Sequence, residues 1–267
     1  MQIMYSKVSL KSSEVLDYKF LGSAVRGVFG VALKKVVCIN PSGECGGCFA
    51  KDDCLYYDFF ESSFAKYRLN LELGGALDFD LYLFEEASLK APYVISALYK
   101  AFRDIGITKK RIKPDFKLFF NDKVVFDGEF FSFDNQPVVY KPNSYQKSAV
   151  LKLKTPLRIK TDNRFLRNDL PVSSLLRSVN HRYLKLKNKE IAKLSFTPEY
   201  KIKSKKLTFI ELQRFSNRQK TKMKLGGLVG EIGFEYIDEN SYRLLELAEV
   251  IGAGKQVTFG LGKVEVI

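Results

Sequence analysis

Both halves of this chain carry the same order of secondary-structure signals, and this repeat constrains the fold more than any single motif. In the first half, apolar residues recur with the period of strands or of helices in the order strand, helix, strand, strand, helix, strand. These segments are 1–10, 21–36, 68–73, 78–84, 92–102 and 116–120. Two short strands, 124–126 and 130–133, follow them.

The second half repeats this order. Its predicted elements are a strand at 150–160, a helix at 171–187, a basic strand-like stretch at 190–215 whose register stays open, a strand at 228–236, a helix that begins at Asn240 or Ser241, and a terminal strand at 263–267. The length of 267 residues suits two modest domains. We therefore expect an α+β fold of two tandem ferredoxin-like (RRM-like) domains, 1–145 and 146–267, the second with a C-terminal glycine-rich loop. The segment 135–148, which contains prolines and asparagines, is the predicted linker.

The positive charge of the chain lies almost entirely in its second half. Residues 1–145 hold 19 Lys/Arg and 18 Asp/Glu, whereas residues 146–267 hold 25 Lys/Arg and 12 Asp/Glu. Such an excess indicates a polyanionic partner, and nucleic acid fits better than a membrane because the sequence has no basic amphipathic helix with a broad apolar face. With no run of 18 apolar residues and no secretory leader, we expect a cytoplasmic protein.

One strand of the second half has a cationic face. In the segment 150–160, apolar side chains alternate with Lys152, Lys154, Arg158 and Lys160. Such a face can follow a phosphate backbone, and a merely solvated face is the alternative. A further cationic edge, flexible or carried by a hairpin, precedes Gly226-Gly227 and contains Arg214, Arg218, Lys220, Lys222 and Lys224.

His181 is the only histidine of the chain and lies on the predicted helix 171–187. It shares a polar stripe with Arg177 and Lys185, each one turn away. Because these cations disfavour the imidazolium form, we expect a neutral ring that can accept a proton near pH 7. The alternative is a surface histidine that happens to lie among cations.

All four cysteines fall within 17 residues, with the spacing C-x6-C-x2-C-x5-C: Cys38, Cys45, Cys48 and Cys54. In a reducing compartment such a cluster favours a metal over disulfides. Four thiolates suit a closed tetrahedral site, so we predict a structural zinc. An iron–sulfur cluster and free thiols are the alternatives.

The C-terminal stretch GAGKQVTFGLGKVEVI has the pattern G-x-G-x5-G-x-G, with glycines at 252, 254, 260 and 262. Glycines so placed permit positive φ and allow a phosphate chain to approach backbone N–H groups, and we expect Lys255 to contact a phosphate. A dinucleotide fingerprint is excluded, because here a helix precedes the glycines and a strand follows them. An ordinary glycine-rich turn is the alternative.

Taken together, these features resemble the RAMP superfamily of CRISPR proteins, and within it the CRISPR repeat-processing endoribonuclease. The resemblance spans nearly the whole chain. Besides the tandem domains and the glycine motif, it is carried by LGSAVRGVFGVALKK at 21–35, by LYY at 55–57 after the cysteines, by RFSNRQ at 214–219 leading into LGGLVGEIGFEY at 225–236, and by TFGLGKVEV at 258–266.

The resemblance implies an enzyme of antiviral defence that binds the repeat of precursor CRISPR RNA and cuts it once. It also implies that cleavage needs no catalytic metal and gives guide RNAs with a 2′,3′-cyclic phosphate. Many members use a histidine in or after the first helix of the first domain, and this chain has none there. The candidate catalytic groups are therefore His181 as general base, and Tyr18, Arg26 and Lys34 at the first helix.

The expected RNA-binding residues are Lys152, Lys154, Arg158, Lys160, Arg177, Arg214, Arg218, Lys222, Gly252, Gly254, Lys255, Gly260 and Gly262. Two other functions stay open. A non-catalytic RAMP subunit would bind guide RNA and have other subunits of a CRISPR effector complex as partners. A sequence-specific DNA-binding protein is disfavoured, because the chain has no helix-turn-helix signal. We expect a monomer or homodimer without a membrane partner.

Overall fold

In a computed structural model of the protein, the backbone divides into two compact units. The first unit is Gln2–Tyr140 and the second is Lys141–Ile267, with Met1 grouped with the second. This division lies about five residues before the proposed boundary at 145/146. The structure describes residues 1–132, 136–161, 163–216 and 221–267, and only the backbone at Phe215, Ser216 and Lys222.

The first unit is an antiparallel sheet with two helices. Its elements are β1 (Met4–Lys11), α1 (Gly22–Val37), β2 (Tyr67–Leu71), β3 (Phe79–Phe84), α2 (Ala91–Lys100), β4 (Lys117–Phe120), β5 (Lys123–Phe126) and β6 (Val138–Val139). The strand order is β2-β3-β1-β4-β5, and β6 pairs with β1. The four strands of the predicted repeat thus have the ferredoxin-like order, with the first strand between the third and fourth.

Periodicity explains the core of this unit. Val8 and Leu10, two residues apart on β1, belong to one buried cluster with Val25, Phe29 and Leu33, which recur every four residues on α1. The strand alternation and the helical stripe therefore cover each other, as the sequence predicts.

The second unit repeats the arrangement. Its elements are β7 (Ala149–Leu157), β8 (Lys160–Thr161), β9 (Arg164–Phe165), α3 (Val172–Leu186), β10 (Tyr200–Ile210), β11 (Gln213–Ser216), β12 (Thr221–Lys224), β13 (Gly227–Ile237), α4 (Glu239–Ile251) and β14 (Val264–Val266). The main sheet has the order β10-β13-β7-β14, while β8–β9 and β11–β12 form separate two-stranded ribbons. The predicted α+β class with tandem ferredoxin-like folds is confirmed.

Some local predictions differ from the structure. The strand expected at 130–133 is reduced to a single bridge between Phe126 and Phe131, and Phe133 lies outside the described residues. Helix α4 is capped by Asp238, whose carboxylate accepts the N–H of Ser241 at 3.1 Å, and not by Asn240 or Ser241. Across the described ranges, no helix is both long and apolar enough to cross a membrane.

Candidate nucleic-acid interface

The glycine-rich loop joins α4 to β14 with backbone angles that favour glycine at all four positions of the motif. All four glycines of the motif have positive φ, between 69° and 83°. A Cβ atom at Gly262 would lie 1.8 Å from the carbonyl oxygen of Ala253, and one at Gly254 would lie 2.7 Å from that of Arg158. The motif is therefore required by the fold of the loop, whatever the loop binds.

The amides of these glycines are already hydrogen-bonded within the protein. The N–H of Gly254 donates to Ser178 Oγ, and that of Gly262 donates to the carbonyl oxygen of Pro156, each at 3.2 Å. The other two glycines donate to carbonyls of the helical turns that precede them. Because these amides already have partners within the protein, exposed side chains such as Lys255 are better placed than the glycine amides to meet a phosphate.

Helix α3 lies against the start of the glycine loop. Ser178 accepts the hydrogen bond from Gly254, and one turn further along α3 the guanidinium Nε of Arg182 donates to the carbonyl oxygen of Ile251. Arg182 is buried, so this bond also satisfies a carbonyl at the end of α4. The middle of α3 is thus fixed beside the loop.

His181 belongs to this fixed part of α3 and is half-buried. Burial lowers the pKa of His181 below its ordinary value, and the nearby cations of Arg177 and Lys185 lower this pKa further. The direction of this pKa shift agrees with the expected neutral ring, although burial is a larger cause than either cation. A neutral imidazole near pH 7 can accept a proton.

The cationic strand is partly neutralised by its neighbours in the sheet. Lys152 lies opposite Glu231 of β13 and Glu265 of β14. Lys154 Nζ lies 3.8 Å from a carboxylate oxygen of Glu265. The predicted cationic face is therefore partly offset by acids that come from adjacent strands, and these acids are invisible in the alternation of one strand.

Neutralising Glu265 should therefore strengthen RNA binding. We expect Glu265→Gln to raise affinity for single-stranded RNA a few-fold at low salt, about the effect of one released phosphate contact, because it frees Lys154 and removes the carboxylate opposite Lys152. Anisotropy titration of a labelled RNA measures this. Glu235→Gln is the control, since it makes the same charge change on β13 beside Lys201. Equal gains from both variants would contradict a local effect.

Arg158 is a buried residue that hydrogen-bonds within the second unit, and not a surface cation. Its side chain is 7% exposed, its Nη1 donates to the carbonyl oxygen of Gly226, and its Cζ lies 4.1 Å from the centroid of the Phe165 ring. Its predicted place on an exposed RNA-binding face is therefore wrong. Lys160 contacts the same ring at 5.0 Å but remains exposed.

The ribbon of β11 and β12 is tied to the glycine loop by Arg214. The Arg214 Cζ lies 4.3 Å from the centroid of the Phe259 ring. This is a cation–aromatic contact to a residue of the glycine motif. Two other predicted RNA-binding residues are near Arg214 in the sequence. Arg218 lies outside the described residues, and Lys222 is described by its backbone only.

Three of the predicted catalytic residues belong to the first unit. Arg26 and Lys34 lie two turns apart on α1, where Arg26 Cζ is 4.6 Å from the Phe60 ring centroid and Lys34 Nζ is 5.0 Å from that of Tyr56. These two rings stack at 5.1 Å. Tyr18, which precedes α1, is 45% exposed. The helix therefore carries two cations over an aromatic pair.

The cysteine segment follows α1, and its four cysteines, Cys38, Cys45, Cys48 and Cys54, are all free thiols. Burial raises the pKa of the Cys45 thiol, and Lys34 opposes this shift. Within the part of the chain that the structure describes, no group of three or more Cys, His, Asp or Glu side chains is placed to hold a metal ion. The arrangement gives no support to the predicted structural zinc or to the iron–sulfur alternative.

The side chains that hold the loop in place are not among the predicted site residues. Thr155, whose hydroxyl donates to the carbonyl oxygen of Gly260 at 3.0 Å, interrupts the lysine–leucine alternation of β7, and Phe259 lies inside the motif. Those two signals were available in the sequence. Ser178 and Arg182 gave none, because polar residues that meet a loop look like any solvated helix face.

Comparison with known proteins gives one family match in each of the two units. Residues 151–264 match the family model of the CRISPR-associated endoribonuclease Cas6, and residues 5–71 match a model described as an N-terminal domain. An uncharacterised protein from Archaeoglobus fulgidus is 25% identical over 270 residues, which cover 91% of this chain and 90% of that protein. The Cas6 match contains α3, the ribbon and the whole glycine loop between α4 and β14.

Solved structures share the whole fold. A Cas6 product complex has a TM-score of 0.56 at 13% identity and covers 100% of this chain and 99% of its own. Thermus thermophilus Cas6 has a TM-score of 0.52 at 13% identity, with 100% and 98% covered. The product of a Cas6-related gene from Pyrococcus furiosus has a TM-score of 0.51 at 11% identity, with 99% and 98% covered. These structures show that the chain has the Cas6 fold, and the predicted resemblance to the RAMP superfamily is confirmed together with the Cas6 family model matched at residues 151–264.

Proposed function

We propose that this chain, a RAMP-superfamily protein whose second unit matches the Cas6 endoribonuclease model, binds the repeat of precursor CRISPR RNA and cuts it once without a metal. The observation that carries the proposal is the coincidence of that match, residues 151–264, with the basic unit in which cations gather around the glycine loop. A Cas6 product complex and a RAMP protein binding different RNA substrates are among the structures of similar fold.

Exposed side chains, and not backbone amides, would hold the RNA. Lys255 lies on the glycine loop, and Arg177 is on the exposed side of α3. Lys160 contacts the Phe165 ring, as Arg158 does. The backbone N–H of Lys255 donates to the carbonyl oxygen of Arg158 at 2.9 Å, so two of these cations come from adjoining segments. Point charges that come from several neighbouring segments suit a phosphate backbone more than a single small anion.

In the proposed reaction the RNA supplies its own nucleophile. His181 takes the proton of a 2′-hydroxyl, the 2′-oxygen attacks the adjacent phosphorus, and the bond to the 5′-oxygen breaks as that oxygen receives a proton. The products are a 2′,3′-cyclic phosphate and a 5′-hydroxyl. Tyr18, Arg26 and Lys34 of the first unit are the alternative candidates for a catalytic role, and each is tested by its own substitution.

Cleavage of repeat RNA in the presence of EDTA tests this function. We expect purified protein to cut RNA containing the repeat of its own CRISPR array at a single position, and to leave an RNA of scrambled sequence intact, because positioning of one phosphate supplies much of the rate. The alternative, a non-catalytic RAMP subunit, predicts tight binding of the same RNA without any cut.

A further inference from the structure

The first unit contains a concentrated positive charge that its overall balance hides. Between residues 103 and 117 there are six Lys/Arg against two Asp/Glu, whereas residues 1–145 hold 19 against 18. The segment 107–113, here called the basic loop, carries four of these cations, and all are exposed: Lys109, Lys110, Arg111 and Lys113.

The basic loop has a fixed backbone. Ile107 and Ile112 exchange two backbone hydrogen bonds of 2.8 and 2.9 Å across its base. Thr108 and Arg111 have positive φ, and a Cβ atom at Gly106 would lie 2.4 Å from the carbonyl oxygen of Arg111. Because the backbone of the basic loop is already ordered, binding of a ligand to these cations costs less conformational entropy than binding to a flexible loop would.

Residues that flank the basic loop in the sequence line a cleft of about 420 Å³. Arg103 and Asp115, which precede and follow the loop, both line it, together with Phe116, Lys117 and Phe126. This volume accommodates a nucleotide-sized group, and the lining combines aromatic and charged side chains.

Carboxylates decide which part of a nucleotide the cleft can take. Asp127 and Glu129 line it in addition to Asp115, and the Asp127 carboxylate accepts the N–H groups of Glu129 and Phe130 at 3.0 and 2.9 Å. Three carboxylates repel a phosphate, but they accept hydrogen bonds from the amino and imino groups of a base. The cleft therefore suits a nucleobase, and the basic loop suits the phosphates beside it.

Aromatic rings reach the surface next to the cleft. The rings of Phe126 and Phe131 stack at 4.8 Å, and Tyr99 meets Phe131 edge-on at 5.0 Å. Phe131 is nevertheless 53% exposed, and the adjacent Phe130 is 73% exposed. Exposed rings beside a track of cations are the usual means of holding single-stranded nucleic acid without sequence preference.

We propose that the basic loop, the cleft and Phe131 form a second surface for single-stranded RNA that belongs to the first unit, whereas the glycine loop belongs to the second. The basic loop holds phosphates, the cleft takes one base, and Phe131 stacks on another. The proposal relies on the proposed function only for the choice of RNA as the nucleic acid, and it concerns affinity and not the cut.

Removal of three lysines in the full-length protein tests this surface. The probe is a labelled RNA of about 15 nucleotides made of A and C only, which cannot form a hairpin. We expect Lys109→Ala/Lys110→Ala/Lys113→Ala to bind it about tenfold more weakly. The slope of log K against log salt should become shallower by about 2, since each single-strand phosphate contact contributes about 0.7.

Matched variants distinguish a specific effect of this surface from the effect of losing three positive charges or one exposed ring anywhere in the first unit. The triple variant Lys51→Ala/Lys90→Ala/Lys123→Ala removes equal charge from other exposed positions of the first unit and should change affinity less than twofold, roughly. Phe131→Leu should weaken binding about fivefold by removing a stacking ring, whereas Phe49→Leu, at another exposed ring, should not.

The outcomes distinguish this proposal from the proposed function. If the loop triple binds the probe as tightly as the wild type does, the second surface is overturned, even when repeat RNA is still cut. If the wild type binds neither the probe nor repeat RNA, the endoribonuclease proposal fails together with it. Weaker probe binding with unchanged cleavage at saturating repeat RNA supports both.

Discussion

Gly262→Ala should destabilise the second unit by roughly 3 kcal/mol and lower the melting temperature by about ten degrees. The added Cβ would lie 1.8 Å from the carbonyl oxygen of Ala253, and the residue has a φ of 69°, so neither a rotamer change nor a small shift relieves the clash. The N–H of Ala253 also donates to the Gly262 carbonyl at 3.0 Å, and this contact would be pushed apart. Thermal unfolding followed by circular dichroism measures the loss.

Two controls belong with this prediction. Gly27→Ala, at an exposed position of α1 with open space around its Cβ, should keep or slightly raise the melting temperature. Lys255→Ala should leave it unchanged and weaken RNA binding modestly. A Gly262→Ala protein as stable as wild type would show that the loop is less constrained than its backbone angles indicate. Gly254→Val should also destabilise the second unit, because a Cβ atom there would lie 2.7 Å from the carbonyl oxygen of Arg158.

His181→Ala should bind repeat RNA with wild-type affinity and cut it on the order of 10²-fold more slowly under single-turnover conditions. The imidazole is the group proposed to take the 2′-hydroxyl proton, and its removal leaves the surrounding cations in place. Arg177→Gln is the matched control on the same helix, because it should weaken binding while the rate at saturating RNA stays within a few-fold. A loss of less than tenfold in His181→Ala would move the role of base to Tyr18, Arg26 or Lys34.

The pH dependence of the cut gives an independent check on His181. Burial, Arg177 and Lys185 lower its pKa from the ordinary 6.5, so the neutral base persists at pH 6.5 and the rate should fall only at lower pH. Lys185→Gln removes one of the cations that disfavour the imidazolium, so the pKa rises and the fall in rate should begin at higher pH. An unchanged profile in this variant would argue against His181 as the titrating group.

Periodicity and element order were enough to predict the architecture, because each helix and most strands bury a face whose period is visible in one segment. The pairing of Lys152 with Glu231 and Glu265 was not predictable, since it depends on the register of three strands. The burial of Arg158 was equally hidden: its partner Gly226 lies 68 residues away and looks like part of a turn.

The glycine motif shows a different limit. Its pattern correctly indicated positive φ, but the same pattern cannot reveal that Ser178 and Pro156 occupy the amides of Gly254 and Gly262. The cysteine spacing likewise suits a metal, whereas the placement of the thiols decides whether they can share one. Local chemistry was readable in both cases, and long-range geometry was not.

Replacement of one ribose by deoxyribose tests the central claim most directly. We expect repeat RNA incubated with the protein in EDTA to give a 5′ fragment ending in a 2′,3′-cyclic phosphate and a 3′ fragment with a free 5′-hydroxyl. The same RNA with a single 2′-deoxynucleotide immediately 5′ of the cut should bind equally well and remain intact, since the nucleophile is missing. Cleavage of the deoxy-substituted RNA at the same position, or no cleavage of the all-ribose RNA despite tight binding, would contradict the account.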